Sequence, residues 1–125
     1  MNTNITDLIG QTIKEIKGEK GDNTLDFIMN DGKIYSMYHC QDCCENVEVE
    51  DICGDLSDLI NTPVINAFEK SNINENPEGI EPHEYEESFT WTFYTIQTVK
   101  GTVTIRWYGS SNGYYSEDVD FVLLS

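Results

Sequence analysis

The run SFTWTFYTIQTVKGTVTIRWYG, residues 88–109, leaves this chain few ways to fold. Threonine, aromatic and β-branched residues follow one another without a helix-period stripe, and a Lys-Gly pair interrupts them near the middle. Such residues favour extended backbone, where a branched Cβ packs well on a pleated surface. The run predicts a β-hairpin about Lys100-Gly101. With a two-residue turn, Thr98 faces Val103, Ile96 faces Ile105 and Tyr94 faces Trp107, and these pairs form the expected core face. The opposite face carries Trp91, Phe93, Thr95 and Gln97 from the first strand, and Thr104, Arg106 and Tyr108 from the second.

The rest of the chain also reads mainly as β. IGQTIKEIKGEKGDNTLDFIMNDGKIYSMYH is strand, turn, strand, turn, strand, with turn chemistry at residues 21–23 and 30–32. ENVEVEDI alternates again, and PVINAFEKS predicts a further strand. DLSDLIN predicts a helical turn or two, capped by Asp55 or Ser57 and stopped by Pro63. Residues 71–87 hold two prolines, a glycine and many acids, and predict a long exposed loop. YSEDVDFVLLS is the final strand, expected beside the hairpin. A strict turn at Asn112-Gly113 would set Asp118 and Asp120 opposite Trp107 and Ile105. A one-residue shift sets Val119, Phe121 and Leu123 there instead. Burying two carboxylates costs more than one bulge, so the shifted register is expected. The fold class is mainly β (α+β): a single domain over 1–125, an antiparallel sheet of about six or seven strands with one or two short helices.

Charge limits the partners. Asp and Glu number 23 against 7 Lys and Arg, for a formal net charge of -16. Such a surface repels phosphate backbones, which argues against DNA, RNA or an anionic membrane as a broad partner. It permits a basic protein partner, or a small anion held in a pocket whose local field differs. No apolar run approaches the roughly 18 residues of a membrane span. The start MNTNITDLIGQ lacks the basic and apolar regions of a signal peptide, so a cytoplasmic protein with reduced thiols is expected.

Within HCQDCC, Cys40 and Cys43 form half of a zinc site, which His39, Cys44, Cys53 or His83 would have to complete. No second C-x-x-C follows, and small buried thiols are the commoner use of cysteine. No Gly-rich phosphate loop leading into a helix, no nucleophile elbow and no metal-binding helix is present. A non-enzymatic protein without a cofactor is therefore expected. The acidic stretch EVEDICGDLSD reads as a solvated face, or alternatively as an imitation of nucleic acid offered to a basic host protein.

Arg106 is the only arginine. One reading makes it a surface ion pair with Asp118 or Asp120, worth about 0–1 kcal/mol. The other starts from Trp91, Phe93 and Tyr108 around one guanidinium, which offer stacking planes and a planar anion clamp. The following GSSNGYY adds backbone N–H groups, the Ser110 and Ser111 hydroxyls and the Asn112 amide. Together these suit a nucleotide-like ligand, with a base on the aromatics and a phosphate on Arg106 and the loop.

The blocks MYHCQDCCENVEVEDICGDLSDLI and SFTWTFYTIQTVKGTVTIRWYGSSNGYYSEDVDF cover about half of the chain. They resemble the two signature segments of a small phage and prophage family, that of the first-described Thoeris anti-defence protein. The resemblance implies a sponge, which binds a cyclic ADP-ribose-type signal in the bacterial cytoplasm without cleaving it. It also implies a homo-oligomer with pockets between protomers, and some such proteins are implicated in holding cyclic oligonucleotides at a separate site. Carried onto this chain, Arg106 would contact the phosphates, and Phe89, Trp91 and Tyr108 the adenine. A pocket needing two different arginines per chain cannot exist in this sequence, so a lysine, backbone amides or a symmetry-related Arg106 would have to substitute.

Overall fold

Alternating side chains commit most of the chain to strands, and a computed structural model describes residues 3–39, 45–73, 88–111 and 117–124. Eight strands follow in order: β1 (Ile13–Lys17), β2 (Thr24–Met29), β3 (Ile34–Tyr38), β4 (Asn46–Cys53), β5 (Asn66–Ile73), β6 (Ser88–Thr98), β7 (Gly101–Ser111) and β8 (Asp120–Leu123). They form two four-stranded sheets, β1-β2-β3-β8 and β4-β7-β6-β5, in which every pairing is antiparallel. One sheet of about six or seven strands was the expectation; two smaller sheets bury one face of each against the other.

The short helices expected reduce, among the described residues, to two 3-10 turns, Ile5–Leu8 and Leu56–Leu59. Asp55 caps the second, its side chain accepting from the Ser57 N–H at 2.9 Å. That turn packs under the β6–β7 hairpin, where Thr98 donates to the Asp58 carbonyl and Lys100 Nζ to the Ile60 carbonyl. Of the exposed loop expected over 71–87, residues 71–73 belong instead to β5, which runs to Ile73. Residues 74–87 lie outside the described residues.

The hairpin register differs from the expected one by two residues. Thr98 pairs with Gly101, Ile96 with Val103 and Tyr94 with Ile105, so Val99 and Lys100 form the turn. A slip of two leaves each side chain on its face. Tyr94, Ile96, Val103, Ile105 and Trp107 are accordingly all fully buried.

The last strand departs further. β8 pairs with β3, not with β7: Met37 lies opposite Phe121 and Tyr38 opposite Asp120. Val119 and Phe121 are buried, but Phe121 lies in the sheet of β1, β2 and β3 and Val119 just ahead of it. The chain therefore crosses between sheets after β7, and Asp120 is not a cross-strand neighbour of Arg106. Hydrogen bonds join the layers: the Trp107 Nε1–H donates to Met37 Sδ at 3.1 Å, and the Tyr94 hydroxyl donates to the Val119 carbonyl at 3.2 Å. Within one sheet, Phe121 on β8 stacks on Tyr35 of the neighbouring β3 at 5.3 Å.

Three sheet edges carry backbone partners. Residues 60–64 run along β1 through bridges at Ile13–Ile60, Thr12–Pro63 and Ile9–Val64. The β1–β2 turn bonds to β4, Gly21 donating to the Val49 carbonyl and Val49 donating to the Asp22 carbonyl. Thr3 donates to Phe121 on β8. Gly54, just after β4, has a φ of +117°, and an added Cβ would lie 2.8 Å from the Thr102 carbonyl oxygen. Both the backbone angle and the contact exclude a side chain, so Gly54→Ala should lower stability by about 1–3 kcal/mol. A urea titration of both proteins checks this.

Candidate functional site

Paired residues place three chain connections at one end of the sandwich. Tyr38 pairs with Asp120, Asn46 with Ser110, Ser88 with Ser111 and Ile73 with Thr90. At this end the inward positions carry polar groups instead of apolar ones. His39 and Glu45 flank the β3–β4 connection and are both buried. The Nδ1 of His39 lies 2.6 Å from the Asp118 carbonyl, and Nε2 lies 2.9 Å from Glu45 Oε2. A carbonyl only accepts, so Nδ1 carries hydrogen, and one further proton lies between Nε2 and the Glu45 carboxyl.

Glu117 is the second buried carboxyl here. It accepts from the Thr90 hydroxyl at 2.7 Å and from the Ser111 hydroxyl at 2.6 Å. Gly109 makes room for it: a Cβ there would stand 3.0 Å from both the Glu117 Cβ and Val47 Cγ2. The alternation of β6 and β7 brings Thr90, Gly109 and Ser111 to the core face, which is why a carboxyl can reach two hydroxyls inside the sandwich.

The outer face of the same sheet holds the residues singled out from the sequence. Trp91 lies opposite Tyr108 across the hairpin, with ring centroids 4.5 Å apart, and Phe89 stacks near Tyr108 at 6.2 Å. The Arg106 guanidinium lies 5.3 Å over the Trp91 ring. Trp91 is only 2% exposed and Tyr108 8%, so these two rings are already covered. Phe89 and Ser110 are half-buried beside them. Asn112 lies outside the described residues.

Arg106 does not meet Asp118 or Asp120. Its Nε donates to Glu50 at 2.5 Å, and a terminal nitrogen lies 3.6 Å from Asp51. The cause is a bulge in β4: Val49 opposes Trp107 and Asp51 opposes Arg106, leaving Glu50 as the extra residue. The hydrogen bond to Glu50 first, then the two negative charges, holds the guanidinium in its charged form against partial burial. Two carboxylates against one cation leave this spot negative, which weakens it as a phosphate clamp. The spacing of Val47, Val49 and Ile52, two residues and then three, was the available sign of the bulge.

Of the cysteines proposed for zinc, Cys53 is exposed at the far end of β4 from Glu45, with its thiol 3.8 Å from Asp51. Cys40, Cys43, Cys44 and His83 lie outside the described residues, among which no three His, Cys, Asp or Glu side chains converge to hold a metal. Nor is any helix among them long and apolar enough to cross a membrane. Glu45, Thr90 and Glu117 were missed as site residues, whereas the Ser111 hydroxyl, read as a ligand contact, instead donates to Glu117. Nothing in the local pattern separates two buried acids from the other carboxylates of so acidic a chain.

Near the same end, burial first and then the Asp118 charge raise the Glu69 carboxyl above its ordinary range. Burial likewise raises the Tyr94 hydroxyl, with Glu69, Asp120 and Asp118 adding to the shift. A raised carboxyl favours the native state while protonated and disfavours it once ionised. Wild-type stability tied to Glu69 is thus present at acid pH and lost as pH rises through the folded-state value. Glu69→Gln should melt higher than wild type at neutral pH, and the difference should vanish near pH about 3, below the unfolded carboxylate range. Thermal melts at the two pH values test it.

Residues 6–121 match the family model described as a domain of unknown function, DUF7448. No curated protein and no solved structure matches the chain.

Proposed function

The chain belongs to the DUF7448 family, and on that premise we propose that it is a non-catalytic binding protein that sequesters a nucleotide of the cyclic ADP-ribose type. The reading places it in the bacterial cytoplasm, as a phage or prophage product that silences Thoeris signalling. One observation carries it. The two sequence blocks that motivate the resemblance are far apart in the chain, yet β4 pairs with β7. Among the described residues, Tyr38, His39, Glu45 and Asn46 of the first block and Phe89, Tyr108, Ser110, Ser111 and Glu117 of the second then lie toward one end of the sandwich. Loop-rich ends of β-sandwiches are where such scaffolds hold ligands.

The chemistry of binding is reassigned relative to the sequence reading. In this reading Phe89, half-buried and stacked near Tyr108, contacts the purine, and Ser110 is the adjacent hydroxyl. Arg106 positions Trp91 and Tyr108 behind them, because its own charge is met by Glu50 and Asp51. The additional positive charge that a pyrophosphate needs comes, in this reading, from a neighbouring protomer of a homo-oligomer. The buried polar groups bond chiefly to one another, which suits holding a ligand more than turning it over.

Calorimetry with cyclic ADP-ribose and its isomers tests the proposal. Binding of at least one isomer is expected, with recovery of the intact nucleotide after the complex is heated. Phe89→Ala should weaken it by about 1–3 kcal/mol, the range of a base–aromatic stack. Absence of binding to every isomer, or release of a cleaved product, would overturn it.

A further inference from the structure

Tight hairpin turns favour Gly, Asn and Asp, whose backbones suit the reversal and whose side chains suit water. The β6–β7 turn instead holds Val99, a branched apolar residue. Val99 is 74% exposed, more than any other large hydrophobic side chain among the described residues. Left so, the tip of the hairpin keeps apolar surface in water.

A cleft opens beside the tip. The hairpin turn rests on the 3-10 turn Leu56–Leu59, and Lys100 Nζ donates to the Ile60 carbonyl at 2.7 Å. Ile60 in turn bridges to Ile13 on β1. Between the 3-10 turn and β1 lies a volume of about 260 Å³, lined by Lys14, Glu15, Ile16, Leu56, Ser57 and Ile60. Its floor is aliphatic: Ile16, Leu56 and Ile60 are half-buried and pack against the core. Its rim is polar, since Lys14, Glu15 and Ser57 are exposed. Through Lys100 and Ile60, the apolar tip and the apolar-floored cleft belong to one patch.

We infer that this patch pairs two copies of the chain, with Val99 of each entering the cleft of the other. A two-fold axis requires one surface to be complementary to itself, and a tip beside a cleft is such a surface. The side chain that fits the cleft is already present once per copy, whereas a foreign partner would have to supply it anew. Charge also selects this face. β1, the capped turn Asp55 to Leu59 and the hairpin turn carry Lys14, Lys17 and Lys100 against Glu15, Asp55 and Asp58. The whole chain has 23 acids against 7 cations. Two such chains meet with least repulsion where their local charges cancel. The contact names one surface for a homo-oligomer, but it does not depend on nucleotide binding. It lies at the opposite end of β6 and β7 from Phe89 and Ser110.

Sedimentation velocity of the full-length protein is the test. A tip and a cleft bury less than the roughly 800 Å² per partner of a stable pair. A weak dimer is therefore expected, appearing between about 10 µM and 1 mM. Raising the salt should tighten it, because salt screens the like net charges and leaves the apolar contact. Val99→Asn keeps a turn-favouring residue. It should raise the dissociation constant at least about tenfold, since two buried valines are lost per dimer. Ser57→Gln fills the cleft from its exposed rim and should act likewise. A mixture of the two variants regains one intact tip and cleft, so it should associate more tightly than either variant alone. Leu124→Asn alters another exposed apolar residue, just past β8 at the opposite edge of the β1 sheet, and should change nothing. Melting curves establish that the variants fold. A protein monomeric throughout this range, equal weakening by Leu124→Asn, or a mixture no tighter than its components would overturn the inference. None of these outcomes bears on nucleotide binding, which calorimetry reads separately.

Discussion

Glu45→Ala should lower the unfolding free energy by about 3–5 kcal/mol, among the largest single effects in the chain. The Glu45 side chain has no exposure and that of His39 only 2%. Removing the carboxyl leaves His39 Nε2 without its 2.9 Å partner in a site water does not reach. The ring also holds the Asp118 carbonyl through Nδ1, so its displacement loosens the segment leading into β8. The double variant His39→Leu with Glu45→Leu discriminates the cause. Replacing both members of a buried pair by apolar groups is far less costly than stranding one of them. The double variant is therefore expected to be more stable than Glu45→Ala alone. Urea titrations of the three proteins read the order directly, and a double variant no better than the single one would show that the pair acts by more than mutual satisfaction.

Trp107→Ala is expected to cost a similar amount, about 3–5 kcal/mol, for a different reason. Trp107 is fully buried at the centre of β7, between Val49 on β4 and Thr92 on β6. Its indole N–H crosses to Met37 on the opposite sheet, so the ring spans the space between layers. Alanine would leave a large cavity lined from both sheets, which strands can collapse only in part because their register is set by backbone bonds. Typical domains have about 5–15 kcal/mol in total, so this variant should unfold at markedly lower urea and lose near-ultraviolet dichroism early. Trp107→Phe keeps most of the volume and should retain more than half of the stability. The two tryptophans thus serve opposite faces of one sheet: Trp107 joins the layers, whereas Trp91 sits under Arg106 on the outside.

Much of the local structure was legible in the chain. Alternation over 24–29, 34–38 and 88–111 produced strands wherever it occurred, and Asp55 capped its turn as its position suggested. The faces of the β6–β7 hairpin were assigned correctly even with the register two residues off, since a period of two survives an even slip. The site was less legible. Phe89, Trp91, Tyr108 and Arg106 do share one outer face, but the guanidinium meets Glu50 and Asp51. Those partners are over fifty residues away, brought into reach by a bulge and by a pairing of β4 with β7 that no local pattern encodes. Glu45, Glu117 and the burial of His39 against Glu45 were likewise beyond sequence reasoning, because burial of a polar side chain depends on what closes over it.

The sequence by itself determined that this chain makes strands, which face of each is apolar, and that its surface is acidic. Those properties follow from side-chain branching, alternation and composition, all of which act within a few residues. Only the tertiary structure decided that the eight strands among the described residues divide into two sheets, that β8 leaves the hairpin for β3, and that one end of the sandwich carries buried carboxylates. Strand partnership is a contest among edges with similar hydrogen-bonding capacity, and its outcome is set by which arrangement closes the apolar faces on each other.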